Sequence, residues 1–277
     1  MDGIAGSVHE MVCRLINLIY PDDCRVCGTA LREVSRIPVC TSCRQEPSAF
    51  TPEFFCATCR TPFLNRFPLD ENGQCGICRE GVQGFDAVYC FGSHEGTLRT
   101  LIHLLKYEGV EPVAPLLADY IAQVVPREEL YDAVVPMPLH WARRWSRGFN
   151  QAERIAKELA RRWNVPMTNA VRRVKSTAPQ AGLTNAERRM NVRAAFAPQH
   201  KGSLAGKRVL LVDDVLTTGA TASACARALK KAGAVHVALA VAARRDRRAS
   251  VWEVAHHNDP AYSGSIASPG VGTQREL

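Results

Sequence analysis

The chain has 277 residues, enough for one large domain or two ordinary ones, and 46% of them are hydrophobic, as in a typical globular protein. Its formal net charge is +8 at pH 7. No apolar run reaches the roughly 18 residues that a membrane span needs, and the N-terminus lacks the features of a secretory signal peptide. These properties predict a soluble, cytoplasmic protein without a membrane span.

The segment 1–20 carries apolar side chains at helical spacing. This pattern predicts an amphipathic helix that packs on the body of the protein. Its polar face is not basic enough to favour an anionic lipid surface. The apolar positions are Val8, Met11, Val12, Leu15, Ile16 and Ile19.

Eight of the eleven cysteines form four CxxC pairs, all within a predicted domain of residues 21–84. Without a secretory signal, paired thiols favour metal ligation over disulfides. The spacings C-x2-C-x12-C-x2-C and C-x2-C-x15-C-x2-C lie in or close to the range of tetrahedral four-cysteine zinc sites. We therefore predict two structural Zn2+ ions. Their ligands are Cys24, Cys27, Cys40, Cys43, Cys56, Cys59, Cys75 and Cys78.

Spacing alone leaves the pairing of these ligands open. Sequential ligation joins the first CxxC with the second and the third with the fourth, whereas a cross-braced arrangement joins the first with the third. An iron–sulfur or redox role is disfavoured, because ferredoxin-type runs are tighter and thioredoxin-type motifs lie in a βαβ pattern. Large apolar residues are sparse here, so we expect the metal to be required for folding. Cys13, Cys90 and Cys225 lie in apolar surroundings and are predicted to be buried.

From Phe85 onward, strand-like and helix-like segments alternate, which predicts an α/β domain over residues 85–245 with a parallel sheet flanked by helices. Residues 208–241 read as a βαβ unit with parallel strands. A helix is predicted from an apolar stripe near the middle of the domain. The stripe consists of Ala152, Ile155, Ala156, Leu159, Ala160 and Trp163. Residues 246–277 have no sustained period and are predicted to be a disordered tail.

The stretch VLLVDDVLTTGAT at 209–221 places Asp213 and Asp214 at the end of a buried strand. In open α/β sheets, ligands bind at the carboxyl ends of strands. The following turn offers backbone N–H groups and hydroxyls at a helix start, which favour a phosphate. Carboxylates beside a phosphate cradle fit a ligand that also has vicinal hydroxyls or a hydrated Mg2+, as ribose 5-phosphate does. The turn residues are Thr217, Thr218, Gly219, Ala220 and Thr221.

A Walker B strand of an ATPase is the competing interpretation of the same motif. It requires a GxxxxGK[ST] loop, and the best match, GSLAGK at 202–207, has only three intervening residues and runs into a strand. The ribose and phosphate interpretation is therefore preferred.

VLLVDDVLTTGAT resembles the phosphoribosyl pyrophosphate loop of type I phosphoribosyltransferases. Two upstream stretches, VPMPLHWARRWSRGFNQAERIAKELA and TAPQAGLTNAERRMNVRAAFA, together with the CxxC-rich N-terminus, resemble the ComF/GntX family of competence-associated proteins over roughly residues 18–243. The resemblance implies that Asp213 and Asp214 hold the ribose hydroxyls of phosphoribosyl pyrophosphate with Mg2+, while the 217–221 loop holds the 5′-phosphate. It also implies a role in DNA uptake and natural transformation.

By the same resemblance, VPMPLH is the pyrophosphate-side loop, and residues 175–193 form a mobile loop that closes over the reacting centre. The implied reaction displaces pyrophosphate from C1 of the ribose, and the acceptor is not identifiable from the sequence. The candidate catalytic residues are Asp213, Asp214, Lys175 and Arg188. The candidate anion-binding residues are Pro138, Arg143, Arg147 and Arg189.

Basic residues are concentrated between His140 and Arg193, where thirteen Lys or Arg face three acids. The loop arginines suit pyrophosphate or single-stranded DNA, with Trp141, Trp145 and Phe149 as stacking platforms. The basic side chains of the helix after residue 150 fit a solvated face better. Three functions stay open: a working transferase, a non-catalytic nucleotide-binding module, and a DNA-binding factor. For the last, the zinc domain would dock DNA-uptake or recombination proteins.

Overall fold

The computed structural model describes residues 23–31, 36–50, 53–58, 60–63, 66, 69–79, 84–139, 148–174 and 195–245. The predicted N-terminal helix and the predicted disordered tail lie outside these ranges. No helix within them has the length and apolar character that crossing a membrane requires.

A four-stranded parallel sheet forms the centre of the α/β part. Its strands are β3 (Ala87–Ser93), β4 (Ala133–Pro136), β7 (Arg208–Leu216) and β8 (His236–Arg244), in the order β3-β8-β7-β4. The two central strands are almost entirely buried, because helices cover both faces of the sheet. This arrangement confirms the predicted parallel α/β fold.

Helices pack on the two faces of the sheet. On one face lie α3 (Gly96–Tyr107), α4 (Val113–Val124) and α5 (Gln151–Trp163), and on the other lies α6 (Ala220–Lys231). α6 connects β7 to β8, which pair in parallel, as predicted for this βαβ unit. In α5 the predicted stripe is buried except for Trp163, which is partly exposed. A small antiparallel pair, β5 (Val171–Arg173) with β6 (Phe196–Pro198), lies beside α6.

The cysteine-rich part contains short elements only. They are α1 (Thr41–Gln45), the antiparallel pair β1 (Phe54–Phe55) and β2 (Pro62–Phe63), and α2 (Gly76–Arg79). Between residues 23 and 245 the described chain forms one compact unit. The domain boundary at residue 84 stays a prediction.

The two cysteine-rich segments pack on opposite faces of the edge strand β3. Side chains alternate between the faces of a strand. Phe91 accordingly joins the cluster that contains Cys24 and Cys43, whereas Val88 joins the one that contains Cys56 and its neighbours. Each half of the cysteine-rich part therefore extends one face of the α/β core.

Candidate functional site

The two adjacent carboxylates lie where β7 loses one of its neighbours. β4 ends at Pro136, opposite Val212, and the last bond on that side runs from the Met137 N–H to the Val212 carbonyl. β7 continues to Leu216 alongside β8. The sequence had suggested that the strand ends at the two acids, and this expectation is wrong. The acids instead line the open edge of a strand that is still paired on its other side.

Because side chains alternate along a strand, Asp213 and Asp214 point to opposite faces of β7. Asp214 is buried and its Oδ2 lies 2.8 Å from the Nζ of Lys106 at the end of α3. Asp213 lies on the α6 side, within the electrostatic reach of Arg173 and Cys225. Both acids still line the same cavity, because it wraps around the open edge.

The environment of Asp213 opposes its ionisation. Burial is the largest cause that raises its pKa, and the negative charge of Asp214 raises it further. The positive charges of Lys106 and Arg173 lower it. The resulting pKa is about 7. A carboxyl group whose pKa is raised this far usually belongs to a binding or catalytic site, because a purely structural ion pair would lower the pKa.

The turn after β7 has the geometry of an anion cradle. Gly219 precedes α6 with a φ of 76°, a left-handed conformation that glycine adopts without strain. It offers no side chain to cap the helix, and the Ala220 N–H donates to the Thr218 hydroxyl at 3.3 Å. Thr217 is exposed, and Thr221 lies in the first turn of α6. Helix starts of this kind attract phosphate through their N–H groups and dipole.

The cavity has a volume of about 350 Å3 and brings the predicted site residues together. It is lined by both acids, by Thr217, Gly219 and Thr221, and by Pro138 of the predicted pyrophosphate-side loop. Ala220 follows Gly219 in the same turn. The other predicted residues, Lys175, Arg188, Arg189, Arg143 and Arg147, lie outside the described ranges.

The cavity lining also includes polar residues that the sequence had not indicated as site residues, among them Lys106, Asn150, Gln151 and Arg173. The Asn150 side chain caps α5 and donates to the Met137 carbonyl at 3.0 Å, so it joins that helix to the loop after β4. Gln151 is only 6% exposed, and within the described chain its Oε1 has no hydrogen-bond partner. A buried acceptor at a cavity wall is a polar group that a ligand could satisfy.

Lys106 had one signal in the sequence. It follows Ile102 by four residues and Leu98 by eight, so it continues the buried stripe of α3 with a charged side chain. Arg173 had none, because its place at the cavity depends on β5 lying beside α6. Its guanidinium lies 5.5 Å from the ring centroid of Phe196.

The first cysteine cluster consists of Cys24, Cys27, Cys40 and Cys43, whose Sγ atoms all lie within 4.8 Å of one another. The Cys27 and Cys40 sulfurs are 3.8 Å apart. A tetrahedral zinc with bonds of about 2.3 Å would place two sulfurs about 3.8 Å apart. The Cys40 N–H also points at the Cys24 sulfur at 3.3 Å, a contact that stabilises a thiolate. This donor set fits Zn2+.

The second cluster contains Cys56, Cys75 and Cys78, and it repeats the same design with the Cys75 N–H at 3.3 Å from the Cys56 sulfur. The fourth predicted ligand, Cys59, lies outside the described residues. Both clusters join neighbouring CxxC pairs, so the arrangement is sequential and the cross-braced alternative is wrong. Cys90 and Cys225 are buried as predicted, and burial raises the pKa of Cys90 to about 12.

Comparison with known proteins agrees with both halves of this description. The family model of the phosphoribosyl transferase domain matches residues 146–258, and that of the double zinc ribbon domain matches residues 15–87. Competence protein F of Haemophilus influenzae is 30% identical over 209 residues, which cover 72% of this chain and 87% of that protein. The chain belongs to the competence protein F family.

Two further relatives extend the family over most of the chain. DNA utilization protein YhgH of Escherichia coli O6:H1 is 28% identical over 230 residues, 79% of this chain and 96% of that protein. Competence protein ComFC of Bacillus subtilis is 24% identical over 247 residues, 82% of this chain and 92% of that protein. The resemblance to ComF-like proteins inferred from the motifs is thereby confirmed, and so is a phosphoribosyltransferase-like domain that follows a double zinc ribbon.

Proposed function

We propose that this chain binds phosphoribosyl pyrophosphate with Mg2+ in the cavity beside β7. The observation that carries the proposal is the lining of one cavity by two carboxylates and a helix start. Asp213 and Asp214 accept hydrogen bonds from the ribose hydroxyls, and the turn around Gly219 holds the 5′-phosphate. Arg173 supplies a further contact to the pyrophosphate, and the buried Oε1 of Gln151 accepts a hydrogen bond from a ribose hydroxyl or a metal-bound water.

Mg2+ neutralises part of the charge of the pyrophosphate when it enters with the ligand. The residues of the chain then position C1 of the ribose and stabilise the departing pyrophosphate, which is the main requirement for displacement at C1. Release of pyrophosphate distinguishes a transferase from a binding module. The relatives are named for competence and for DNA utilization, and these names support a role of the proposed activity in DNA uptake.

Calorimetric titration with phosphoribosyl pyrophosphate tests the proposal, with Mg2+ present or simply omitted, because a chelator would also attack the zinc clusters. Asp213→Asn with Asp214→Asn should lower the affinity at least about a hundredfold, since each charge-assisted hydrogen bond is worth about 1.5 to 3 kcal/mol. Asp119→Asn is the matched control, because this exposed carboxylate pairs with Arg162 on the helical layer. Unchanged affinity in the double variant would refute the assignment of the ribose site.

Single-stranded DNA is a second candidate ligand, supported by the local excess of ten positive charges between His140 and Arg193. On α5, three arginines already pair with acids, as expected of a solvated face. These arginines are Arg154, Arg161 and Arg162. Most of the excess therefore lies outside α5.

Replacing Arg143, Arg144 and Arg147 with Ala should abolish binding of a short single-stranded oligonucleotide, while Arg161→Ala with Arg162→Ala should leave most of it. Four or five phosphate contacts predict a slope of log affinity against log salt of magnitude roughly 3. Fluorescence anisotropy at several salt concentrations measures both the oligonucleotide affinity of each variant and the salt slope. Absence of binding at low salt would direct the DNA-uptake role to protein partners of the zinc ribbon.

A further inference from the structure

Lys106 and Asp214 form a largely buried ion pair at the open edge of β7. The Nζ and Oδ2 atoms are 2.8 Å apart, and the side chains are 18% and 5% exposed. Removing one member of such a pair leaves the other charge uncompensated, which is strongly unfavourable. The chain thus supplies its own cation to one of the two carboxylates of the site.

The two carboxylates differ in this respect. Lys106 approaches from the α3 face and contacts Asp214, whereas Asp213 points to the α6 face and interacts with Lys106 and Arg173 only at longer range. Lys106 and Asp214 both line the cavity, so the pair borders the ligand space and is not sealed in the core.

A ligand that carries phosphates and a divalent cation can exchange partners with this ion pair. Divalent Mg2+ and Mn2+ prefer carboxylate and hydroxyl oxygens, whereas an ammonium group binds phosphate oxygens well. If the hydrated metal approaches Asp214 beside the ribose hydroxyl and Lys106 turns to a phosphate, every charge keeps a partner. The long, flexible stem of lysine allows this change of direction without a movement of α3.

We propose that Lys106 is a positioning residue of the ligand site. In the free protein its ammonium group compensates the charge of Asp214. When the ligand arrives with its divalent cation, the ammonium group leaves Asp214 and binds a phosphate of the ligand. This inference rests on the proposed function in that it takes the ligand to be a metal-bound phosphate compound. It assigns a role to a helix, α3, that lies outside the sequence motif of the site.

The exchange predicts how the free protein responds to a divalent cation alone. Lysine competes with the cation for Asp214, so the unmodified chain binds free Mn2+ weakly, and Lys106→Met removes the competitor. Lys106→Met should therefore bind Mn2+ at least about tenfold more tightly in the absence of any phosphate ligand. Electron paramagnetic resonance of free Mn2+ measures this, and Mn2+ leaves the thiolate clusters alone because it prefers oxygen ligands.

The same variant should lose at least about tenfold in affinity for phosphoribosyl pyrophosphate with Mg2+, because the phosphate loses its ammonium partner. Lys106→Arg keeps the charge and should bind Mn2+ as weakly as the original chain. Lys157→Met, an exposed lysine on α5, is the matched control and should change neither affinity. The far-ultraviolet circular dichroism spectrum and the zinc content identify any variant that fails to fold, in which case Lys106→Gln replaces it.

Opposite changes in the two affinities support the exchange. Loss of phosphoribosyl pyrophosphate binding without tighter Mn2+ binding overturns it, because Lys106 is then an ordinary ligand contact. Unchanged affinities for both probes overturn it as well. If the original chain binds no phosphoribosyl pyrophosphate while Lys106→Met still gains Mn2+ affinity, the proposed ligand is wrong but the competition at Asp214 stands.

Discussion

The cysteine-rich part and the α/β part of this chain are stabilised by different means. In the α/β part, whole strands and helix faces are buried, as in β8, where eight consecutive residues are inaccessible. Within the described residues 23–79, Val39 is the one buried apolar residue that is not a cysteine. Its other described apolar residues are only partly buried, and they pack against the two clusters that also contain Val88 and Phe91 of β3. The comparison indicates that ligand chemistry, more than apolar burial, specifies the first part.

Removal of zinc should have the largest effect on this comparison. Structural zinc contributes on the order of 10 kcal/mol of apparent folding free energy, which the small apolar core of residues 23–79 cannot replace. Cys24→Ser or Cys75→Ser should therefore lower the zinc content from two ions to one or none and make the cysteine-rich part susceptible to proteolysis. Elemental analysis and limited proteolysis measure the two effects.

Cys90→Ala is the control for those variants, because Cys90 is a buried cysteine of β3 outside both clusters. It should keep two zinc ions per chain. Equal loss of zinc in the control would mean that the metal content reports general stability and not ligation.

The two parts should also respond to pH with opposite sign, which is the second largest effect. Protonation of thiolates releases zinc, so the cysteine-rich part loses stability as the pH falls. In the α/β part, Asp213 has a folded pKa of about 7 against an ordinary value of 3.8. The folded state then holds its proton more tightly, and stability contributed by this group is present below pH 4 and is lost as the pH rises to about 7.

Asp213→Asn should abolish this loss, which amounts to at most about 4 kcal/mol for the roughly three units between the two pKa values, about half of it between pH 5 and 7. Denaturant unfolding of the zinc-loaded protein at pH 5 to 8, without divalent cations in the buffer, measures it. Glu158→Gln on α5 should leave the pH profile unchanged, because its partner Arg161 is largely exposed. A profile for Asp213→Asn parallel to that of the original chain would show that Asp213 is ionised throughout.

The sequence predicted those features that depend on neighbours along the chain. The CxxC spacing predicted the cysteines that cluster, because each knuckle is local, and the apolar runs predicted the strands of the parallel sheet. The pairing of the knuckles needed distances, since both arrangements suit the spacing. The extension of β7 to Leu216 depends on β8 continuing beside it, which no property of the motif reveals.

The candidate site was predictable only in part for the same reason. Asp213, Asp214 and the turn around Gly219 are contiguous in sequence, so their common place in one cavity was predictable from a short motif. Lys106 reaches Asp214 from a distant helix, and the buried Gln151 follows the cap of another helix. A lysine at a helix end is ordinarily explained by the helix dipole, so its contact with Asp214 becomes evident only from the structure.

The smallest predicted effect concerns the joint between the two parts. The buried Thr97 in the first turn of α3 donates its hydroxyl hydrogen bond to Glu46 Oε2 of the cysteine-rich part at 2.7 Å. Thr100, one turn later, donates to the Gly96 carbonyl of its own helix at 3.2 Å and is partly exposed. Thr97→Val and Thr100→Val thus make the same change in shape at two sites, and only the first removes a bond between the parts.

Thr97→Val should lower the free energy of unfolding by about 1 to 2 kcal/mol, because a hydrogen bond to a carboxylate is lost, whereas Thr100→Val should change it by less than about 0.5 kcal/mol. If the two parts unfold together, Thr97→Val shifts a single denaturation transition, because both parts share the loss. If they unfold separately, the transition of the cysteine-rich part moves alone, and hydrogen exchange should then show earlier opening of residues 36–50 than of β7. Equal effects of the two variants would mean that the Thr97 bond contributes nothing to holding the two parts together. The first cysteine cluster would then be held on α3 and α4 by apolar packing around Phe91 and Tyr120, whose rings stack at 4.6 Å.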